Sequence, residues 1–337
     1  MKTDDLVREK FEQSIQFENG RYKVQLPEKE EHEILADNYK QSQIRLKGIW
    51  KKFPTNKELF ESYNYIINEQ KSKHVIETAP DETLTEKTHY LPHRPVVDER
   101  RSTTKVRMVY DASSKEKGCA SLNEILETGP NLATKLFDTL LKFRTHNVAF
   151  VGDIEKAFLQ IELCAEQRDL LRFLWFKDPE KIDFDVFENN GIIEYRLCRV
   201  IMGATPSPFL LSATLQHHAE NYRELDPDFV KKLLNSLHVD DLSGGTNTVQ
   251  EAIEFLKKSK ERFTECSMNL RKFETSDKTL EKLIIDEFGE KENPQNKSET
   301  RVLGVNWDKE SDAFCFSFEE LRQKFNVTKV TKRTVLQ

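Results

Sequence analysis

Three aspartates are the residues of this sequence whose type and spacing could carry out chemistry. Asp240 and Asp241 are adjacent in SLHVDDLSGG, and Asp153 ends the apolar run NVAFVGD. Each charge would be costly to bury on a hydrophobic strand unless something compensates it. If the two strands are neighbours, the carboxylates converge, and convergent carboxylates repel one another unless a cation lies among them. The simpler interpretation of Asp240 and Asp241 is a hairpin turn, where aspartate is common.

A convergent set of carboxylates is typical of a magnesium site. Mg²⁺ prefers oxygen ligands and usually combines a few carboxylates with the phosphates of a substrate. Two such ions, about 3.5–4 Å apart, stabilise the attacking and leaving oxygens of a phosphoryl transfer. The three aspartates therefore predict metal-dependent phosphoryl transfer, with the structural turn as the alternative.

The segments around the aspartates predict the elements that position them. Residues 147–163 form a buried strand that ends near Asp153 and turns into a short helix, and residues 233–245 form a buried hairpin with Gly244-Gly245 as a turn signal. The other predicted elements are helices on either side of Pro54 (38–70), a strand (106–113), a strand, turn and helix (192–222), an amphipathic helix (249–265), a loop (286–300) and the two arms of a hairpin (301–318). Their apolar faces are assigned to Ile44, Ile49, Trp50, Phe53, Leu59, Tyr63 and Ile66 in the first pair of helices and to Ile253, Leu256 and Phe263 in the later helix. Helices alternating with strands in this way predict an α+β layer structure.

Charge and cysteine content restrict the class of protein. The net charge of −6 disfavours indiscriminate binding of nucleic acid, although residues 94–117 hold seven basic and four acidic residues. The five cysteines are scattered and form no C-x-x-C pair, which fits a reducing compartment better than a disulfide framework. No apolar run approaches the roughly 18 residues that span a bilayer, and the charged start is unlike a signal peptide. We therefore expect no membrane partner.

Six segments, in this order, resemble the reverse transcriptase of BEL/Pao-type long-terminal-repeat retrotransposons. They are YLPHRPVVDERRSTTKVRMVYDASSK, VGDIEKAFLQIEL, RDLLRFLWF, MGATPSPFLLSATLQHH, LHVDDLSGG and MNLRKF. The resemblance implies an RNA-directed DNA polymerase in which the primer 3′-hydroxyl attacks the α-phosphate of a deoxynucleotide and pyrophosphate leaves. It implies an α+β right-hand polymerase fold with fingers and palm, the palm being an antiparallel sheet backed by helices.

The resemblance also implies roles for the acidic residues and a nearby lysine. Asp153 and Asp240 would bind two Mg²⁺ or Mn²⁺ ions, and Asp241 would complete the acidic cluster. Lys272 would be the general acid for the departure of pyrophosphate, with an ordinary basic residue as the alternative. His238 is a departure from the family pattern, because the wider superfamily usually has Tyr or Phe at this position. We expect this departure to alter the function rather than abolish it.

Further roles concern the nucleotide. Lys105 and Arg107 would grip the triphosphate, Phe158 would be the steric gate against a ribose 2′-hydroxyl, and MGATPSPF, with Met202 and Gly203, would pack against the template base and the incoming nucleotide. The alternatives are exposed basic residues on an edge strand, an ordinary core phenylalanine and a plain Gly/Pro turn. Each of these three assignments stays open at the level of the sequence.

The resemblance also predicts the domains, partners and location of the chain. The domains are a helical leader (1–90), fingers (91–146 and 166–198), palm with a primer-gripping hairpin (147–165 and 199–318) and the truncated start of a thumb or connection (319–337). The partners are an RNA or DNA template–primer and deoxynucleotides. In an intact element the chain would be fused to protease, ribonuclease H and integrase regions, which this sequence lacks. The expected location is the cytoplasm, in a retrotransposon particle, with the nucleus as an alternative.

Two other functions compete with polymerisation. One is an inactive or domesticated retroelement fragment with residual nucleic-acid binding. The other is a different metal-dependent phosphotransferase with an acidic turn, which leaves the steric-gate and Gly/Pro motifs unexplained. Extension of a template–primer with deoxynucleotides distinguishes all three.

Overall fold

A computed structural model of the chain describes residues 3–81, 87–98, 105–179, 191–289 and 300–315. The helices are α1 (Thr3–Ser14), α2 (Tyr39–Trp50), α3 (Lys57–Ser72), α4 (Leu122–Ile125), α5 (Leu136–Arg144), α6 (Ser207–Glu220), α7 (Pro227–Ser236), α8 (Val249–Glu265) and α9 (Lys278–Phe288). The strands are β1 (Gln16–Glu18), β2 (Arg21–Val24), β3 (Ile76–Thr78), β4 (His93–Val97), β5 (Val106–Tyr110), β6 (Val148–Ile154), β7 (Glu162–Leu163), β8 (Arg172–Phe176), β9 (Ile192–Leu197), β10 (Leu237–His238), β11 (Asp241–Thr246), β12 (Leu270–Thr275), β13 (Thr300–Val302), β14 (Val305–Asp308) and β15 (Ala313–Cys315). Helices and small sheets alternate, which confirms the predicted α+β class.

The chain forms two compact units, each built from several segments. The first unit is Met1–Leu132, Lys156–Arg223 and Phe263–Met268, and the second is Ala133–Glu155, Glu224–Arg262 and Asn269–Gln337. Residues 156–165 and 199–223, which the resemblance assigns to the palm, thus cluster with the first unit. The assignment of segments to fingers, palm and thumb stays a prediction.

The first unit contains three small sheets with helices between them. Their strand orders are β1-β2-β7, β3-β9-β8 and β4-β5. Strands β1 to β3 lie within residues 1–90, so the interpretation of this region as a helical leader is incomplete. The predicted break at Pro54 is confirmed, because Pro54 lies in a short 3₁₀ turn between α2 and α3, and the side chain of Asn56 caps α3.

The second unit is organised around one four-stranded antiparallel sheet, in the order β10-β11-β6-β12. Successive side chains of a strand point to opposite faces, and both faces of β6 are covered. Phe150 packs against Phe255 of α8, with ring centroids 5.6 Å apart, whereas Ala149 belongs to a cluster with Phe143 and Trp307. This double cover explains why the sequence before Asp153 is apolar at successive positions.

The prediction of a hairpin over residues 233–245 is wrong at both ends. Leu233 lies in α7, which begins at Pro227 behind the capping side chain of Asp226. Gly244 and Gly245 lie inside β11 rather than in a turn.

The two glycines of β11 are explained by close neighbours. A Cβ on Gly244 would lie 2.7 Å from Ser236 Oγ, and one on Gly245 would lie 2.5 Å from His146 Cβ. Contacts shorter than about 3 Å are not tolerated, so close approach of other elements, and not a change of chain direction, requires glycine here.

Four smaller predictions are corrected by the structure. Ile44 is 61 % exposed, whereas Leu46 is buried on α2, and Ile67 rather than Ile66 is buried on α3. Helix α9 continues to Phe288 within the predicted loop, of which residues 290–299 lie outside the described residues. The predicted hairpin of 301–318 is a three-stranded sheet, β13-β14-β15, and its last residues, 316–318, are also outside the described part.

The predicted helix 249–265 is confirmed at both ends, with Ile253, Leu256 and Phe263 buried. In the described ranges, no helix has the length and apolarity that crossing a bilayer requires.

Candidate active site

The aspartates predicted to converge lie on adjacent strands of the second unit. Asp241, the first residue of β11, is the direct partner of Asp153 near the end of β6. On either side of this pair the register continues to His238 on β10 and Arg271 on β12. Directly opposed residues of antiparallel strands share a face, with Cβ atoms about 4.5–5.5 Å apart. The register therefore aligns one row of four polar side chains across the end of the sheet.

Asp240 lies in the two-residue connection between β10 and β11. Its carbonyl oxygen accepts a hydrogen bond of 3.0 Å from the backbone amide of Ile154, which ties the connection to β6. The other residue of the connection, Val239, has φ 58°. A β-branched residue in this region is strained by about 1–3 kcal/mol, and such strain is concentrated at functional sites. The connection is thus held in a conformation that the residue itself disfavours.

The surroundings of the three carboxylates disfavour their ionised form, so the pKa of each is raised. Burial, with repulsion from Asp240 and Asp153 in addition, raises the pKa of Asp241 to about 6. Burial also raises the pKa of Asp153, opposed by Lys272 and reinforced by Asp240. The pKa of Asp240 is raised chiefly by burial and is lowered in part by His238. All three groups would be stabilised in the ionised form by an added positive charge.

Lys272 brings a cation to this group through an irregularity of β12. The register of β12 against β6 shifts between Arg271 and Glu274, and Lys272 at this bulge has φ 53°. Its Nζ lies 4.0 Å from Oδ2 of Asp153, and the side chain is 51 % exposed. A bulge re-aims a side chain that a regular strand would direct elsewhere. The bulge therefore places the Lys272 ammonium beside the Asp153 carboxylate, and its role as a general acid stays a prediction.

The donor set of this group suits a hard divalent cation, because Mg²⁺ prefers carboxylate oxygens. Over the described residues, no group of three His, Cys, Asp or Glu side chains is arranged so that it could hold a metal ion. The suitability of this group for a divalent cation therefore rests on its carboxylate donors and on the raised pKa values of Asp153, Asp240 and Asp241.

The residues predicted to contact the nucleotide all lie in the first unit. Lys105 is exposed and precedes β5, and its carbonyl oxygen accepts a hydrogen bond of 2.8 Å from the amide of Asp98. Arg107 is partly buried on β5 and is paired with Val96 of β4. Their role at a triphosphate stays a prediction.

Phe158 lies in a short 3₁₀ helix, Ala157–Gln160, and is 8 % exposed. Its ring is therefore mostly within the packed interior of the first unit. This burial agrees with a core phenylalanine, and the steric-gate role stays a prediction.

Met202 and Gly203 lie in a turn that precedes α6. Met202 is 63 % exposed, and Gly203 has φ 109°, a conformation that favours glycine. A Cβ on Gly203 would lie 3.3 Å from the backbone oxygen of Tyr110. The side-chain amide of Asn123 donates through Nδ2 to the Gly203 carbonyl oxygen at 3.1 Å. Its Oδ1 accepts a hydrogen bond from the Thr205 backbone amide at 2.8 Å. Asn123 thus fixes the turn.

Sequence reasoning missed three residues at these two places. Asn123 gives no local signal, because its contacts are to a turn some 80 residues away in the chain. Arg271 and Glu155 form an ion pair of 3.2 Å next to Asp153. The adjacency of Arg271 to Lys272, and of Glu155 to Asp153, is a signal that could have drawn attention to both.

Comparison by sequence finds no relative, since neither a protein-family model nor a curated protein matches this chain. Comparison by structure does, with 466 matching chains. One of them is the foamy viral protease–reverse transcriptase in complex with an RNA/DNA hybrid, at 16 % identity and a TM-score of 0.52. The match covers 82 % of this chain and 29 % of that chain, so this chain spans less than a third of the viral protein. The likeness shows that this chain has a reverse-transcriptase-like fold.

Proposed function

We propose that this chain is the reverse-transcriptase domain of a BEL/Pao-type retrotransposon, an RNA-directed DNA polymerase that adds deoxynucleotides to a primer 3′-hydroxyl. One observation supports it above all others. In a reverse-transcriptase-like fold, Asp241 faces Asp153 across adjacent antiparallel strands, with Asp240 in the connection beside them. The right-hand architecture of fingers and palm belongs to the same proposal.

In this proposal the carboxylates of Asp153 and Asp240 hold two Mg²⁺ or Mn²⁺ ions, and Asp241 adds negative charge beside them. Bound divalent ions would supply stabilisation for the attacking and leaving oxygens. Lys272 contributes the proton that the departing pyrophosphate takes up, because its ammonium is exposed and 4.0 Å from Asp153. A positioned proton donor of this kind typically contributes about 10²–10⁴-fold to a rate.

Nucleotide recognition is assigned to the first unit. Lys105 and Arg107 bind the triphosphate, as cationic side chains do where charge develops on a leaving phosphate. Phe158 excludes a ribose 2′-hydroxyl, and Met202 and Gly203 contact the base pair. The conformation of Gly203 and its anchoring by Asn123 support a fixed surface at this turn.

The partners in this proposal are an RNA or DNA template–primer and deoxynucleotides. The viral protein of similar fold was solved in complex with an RNA/DNA hybrid. Fusion to protease, ribonuclease H and integrase regions, and a location in a cytoplasmic retrotransposon particle, follow from the same resemblance. The strongest rival is an inactive fragment that only binds nucleic acid.

Primer extension tests the proposal directly. The 337-residue chain is incubated with an RNA template, a DNA primer, deoxynucleotides and Mg²⁺. Extension by the wild type and none by Asp240→Asn supports polymerisation. Binding of the template–primer without extension, unchanged by Asp240→Asn, would establish the inactive fragment instead.

A further inference from the structure

Arg271 lies near the carboxylates of Asp153 and Glu155, and its ion pair is with Glu155. Its register partner on β6 is Asp153, so the two side chains share a face of the sheet. Its ion pair, however, is with Glu155, with Nη1 at 3.2 Å from Oε1. The guanidinium is close enough to Asp153 to lower the pKa of that carboxyl, after the larger effects of burial and Lys272. Arg271 is thus near Asp153 but bonded elsewhere.

Glu155 is held in place from a second direction. Its backbone amide donates to the Asn269 oxygen at 2.9 Å, and its Oε2 accepts from the Asn269 side-chain amide at 3.0 Å. Glu155 lies two residues after Asp153, just beyond the end of β6 at Ile154. Its carboxylate is therefore fixed where it can attract Arg271.

Arg271 itself is held mainly by this one pair. Its Nε is buried and has no hydrogen-bond partner among the described residues. Arginine with an unsatisfied donor near a second carboxylate would readily form a bidentate pair with it. Such a pair would occupy oxygens that a cation needs. If Asp153 binds a cation, another group must keep Arg271 from forming this pair with Asp153.

We propose that Glu155 is a positioning residue that holds the Arg271 guanidinium away from Asp153 and so keeps it off the oxygens with which Asp153 would bind a divalent cation. The inference rests on the proposed function, because it assumes that Asp153 is a metal ligand. It concerns metal affinity rather than a chemical step. A purely structural role for the ion pair predicts that loss of either partner has the same effect, whereas the proposed role predicts different effects.

The test measures the Kd of Mn²⁺ for the full 337-residue chain by electron paramagnetic resonance, without nucleotide or primer. Glu155→Gln should raise the Kd about tenfold, the size expected for loss of a group that supports a metal ligand. Arg271→Met should change it less than twofold. The double variant should return to within about twofold of the wild type. The matched control is Glu274→Gln, because Glu274 lies on β12, as Arg271 does, and its ion pair is with Lys309, which follows β14. This variant should leave the Kd unchanged.

Together, the two single variants and the double variant form a double-mutant cycle, which separates this positioning role from a simple effect of charge. Additive electrostatics predicts that Arg271→Met changes the Kd by one factor in both backgrounds, while the proposed role predicts a far larger recovery in Glu155→Gln. An equal factor in both backgrounds, an unchanged Kd in Glu155→Gln, or equal weakening by both single variants overturns the inference. If Glu155→Gln does not fold, Arg271→Met alone still decides between the positioning role and the structural one.

Failure of the proposed function gives a different result. A wild-type chain that binds no Mn²⁺, or binds it equally well as Asp240→Asn, overturns both proposals. A chain that extends a primer but shows no coupling between Glu155 and Arg271 overturns the inference alone.

Discussion

Both units contain carboxylates that are wholly or partly buried, but among the described residues the two units treat their charge differently. In the first unit, Asp169 is fully buried and forms ion pairs with Arg172 at 2.8 Å and with Arg196 at 3.2 Å. Glu77 joins the same network; burial would raise its pKa, but Arg168 and Arg196 outweigh this and lower it.

In the second unit, the pKa of each of the three aspartates is raised, chiefly by burial. Breaking a buried ion pair is costly, so the network of the first unit is a structural element. Carboxylates that destabilise one another are a sign of a functional site. The difference separates charge that holds a fold together from charge that is available to a ligand.

The largest expected effect is on catalysis. Asp240→Asn should reduce primer extension about a thousandfold, because metal binding contributes several kcal/mol to stabilising the transition state and each 1.36 kcal/mol is a factor of ten. The free energy of unfolding should stay the same or rise, since a repelling charge is removed. Single-nucleotide extension rates and urea unfolding measure the two effects. Extension at the wild-type rate would show that these aspartates are ordinary turn residues.

Asp169→Asn should have the opposite pattern. It removes the Asp169 carboxylate from Arg172 and Arg196, which keep their pairs with Glu194 and Glu77. Loss of one partner of a buried pair costs about 3 kcal/mol. Urea unfolding measures the loss, and primer extension per folded molecule should be unchanged. A variant as stable as the wild type would mean that the network does not hold the first unit together.

Substitution of Phe158 tests whether a buried side chain of the first unit can also be functional. Phe158→Val should reduce discrimination against ribonucleotides about tenfold, the lower range for a change in the size of an apolar pocket. Phe173→Val is the matched control: Phe173 is fully buried in the same unit, so its loss should lower stability and leave sugar discrimination intact. The ratio of kcat/KM for the deoxynucleotide and the ribonucleotide decides. An unchanged ratio in Phe158→Val would assign this ring to the core.

The smallest expected effect is the dependence of stability on pH in the absence of divalent ions. The pKa of Asp241 is about 6 in the folded chain, above its ordinary value of 3.8. The folded state therefore binds more protons between these values, and the free energy of unfolding falls as pH rises from 4 to 6. After solvent screening we expect about 1 kcal/mol.

Urea unfolding at pH 4 and pH 7 tests this contribution. Asp241→Asn should flatten the dependence. Glu77→Gln is the contrasting variant, because the pKa of Glu77 is lowered and its contribution to stability is present above pH 4.5 and is lost as pH falls. A wild type whose dependence on pH is unchanged by Asp241→Asn would contradict the assignment.

What the sequence predicted well was local in origin. The strand that ends near Asp153 follows from a continuous apolar run, and the helix from Val249 to Glu265 follows from apolar spacing along one face. The misassigned glycines of β11 are explained by α7 and His146, which approach them from elsewhere in the second unit. The pairing of Arg271 depends on the register between β12 and β6, which no window of sequence contains. The local apolar pattern therefore identified this strand and this helix, while contacts distant in sequence decided which side chains meet.

The strained connection between β10 and β11 has a consequence for laboratory evolution. Replacing Val239, with its φ of 58°, by glycine would relieve about 1–3 kcal/mol of strain and cost about 0.5–1 kcal/mol in chain entropy. A library selected only for survival at high temperature should therefore accumulate glycine or asparagine at position 239. A library selected for primer extension should retain a side chain that keeps the connection rigid, because the gain in thermal tolerance would come at the expense of the placement of Asp240. Position 239 would then record which of the two pressures the population had experienced.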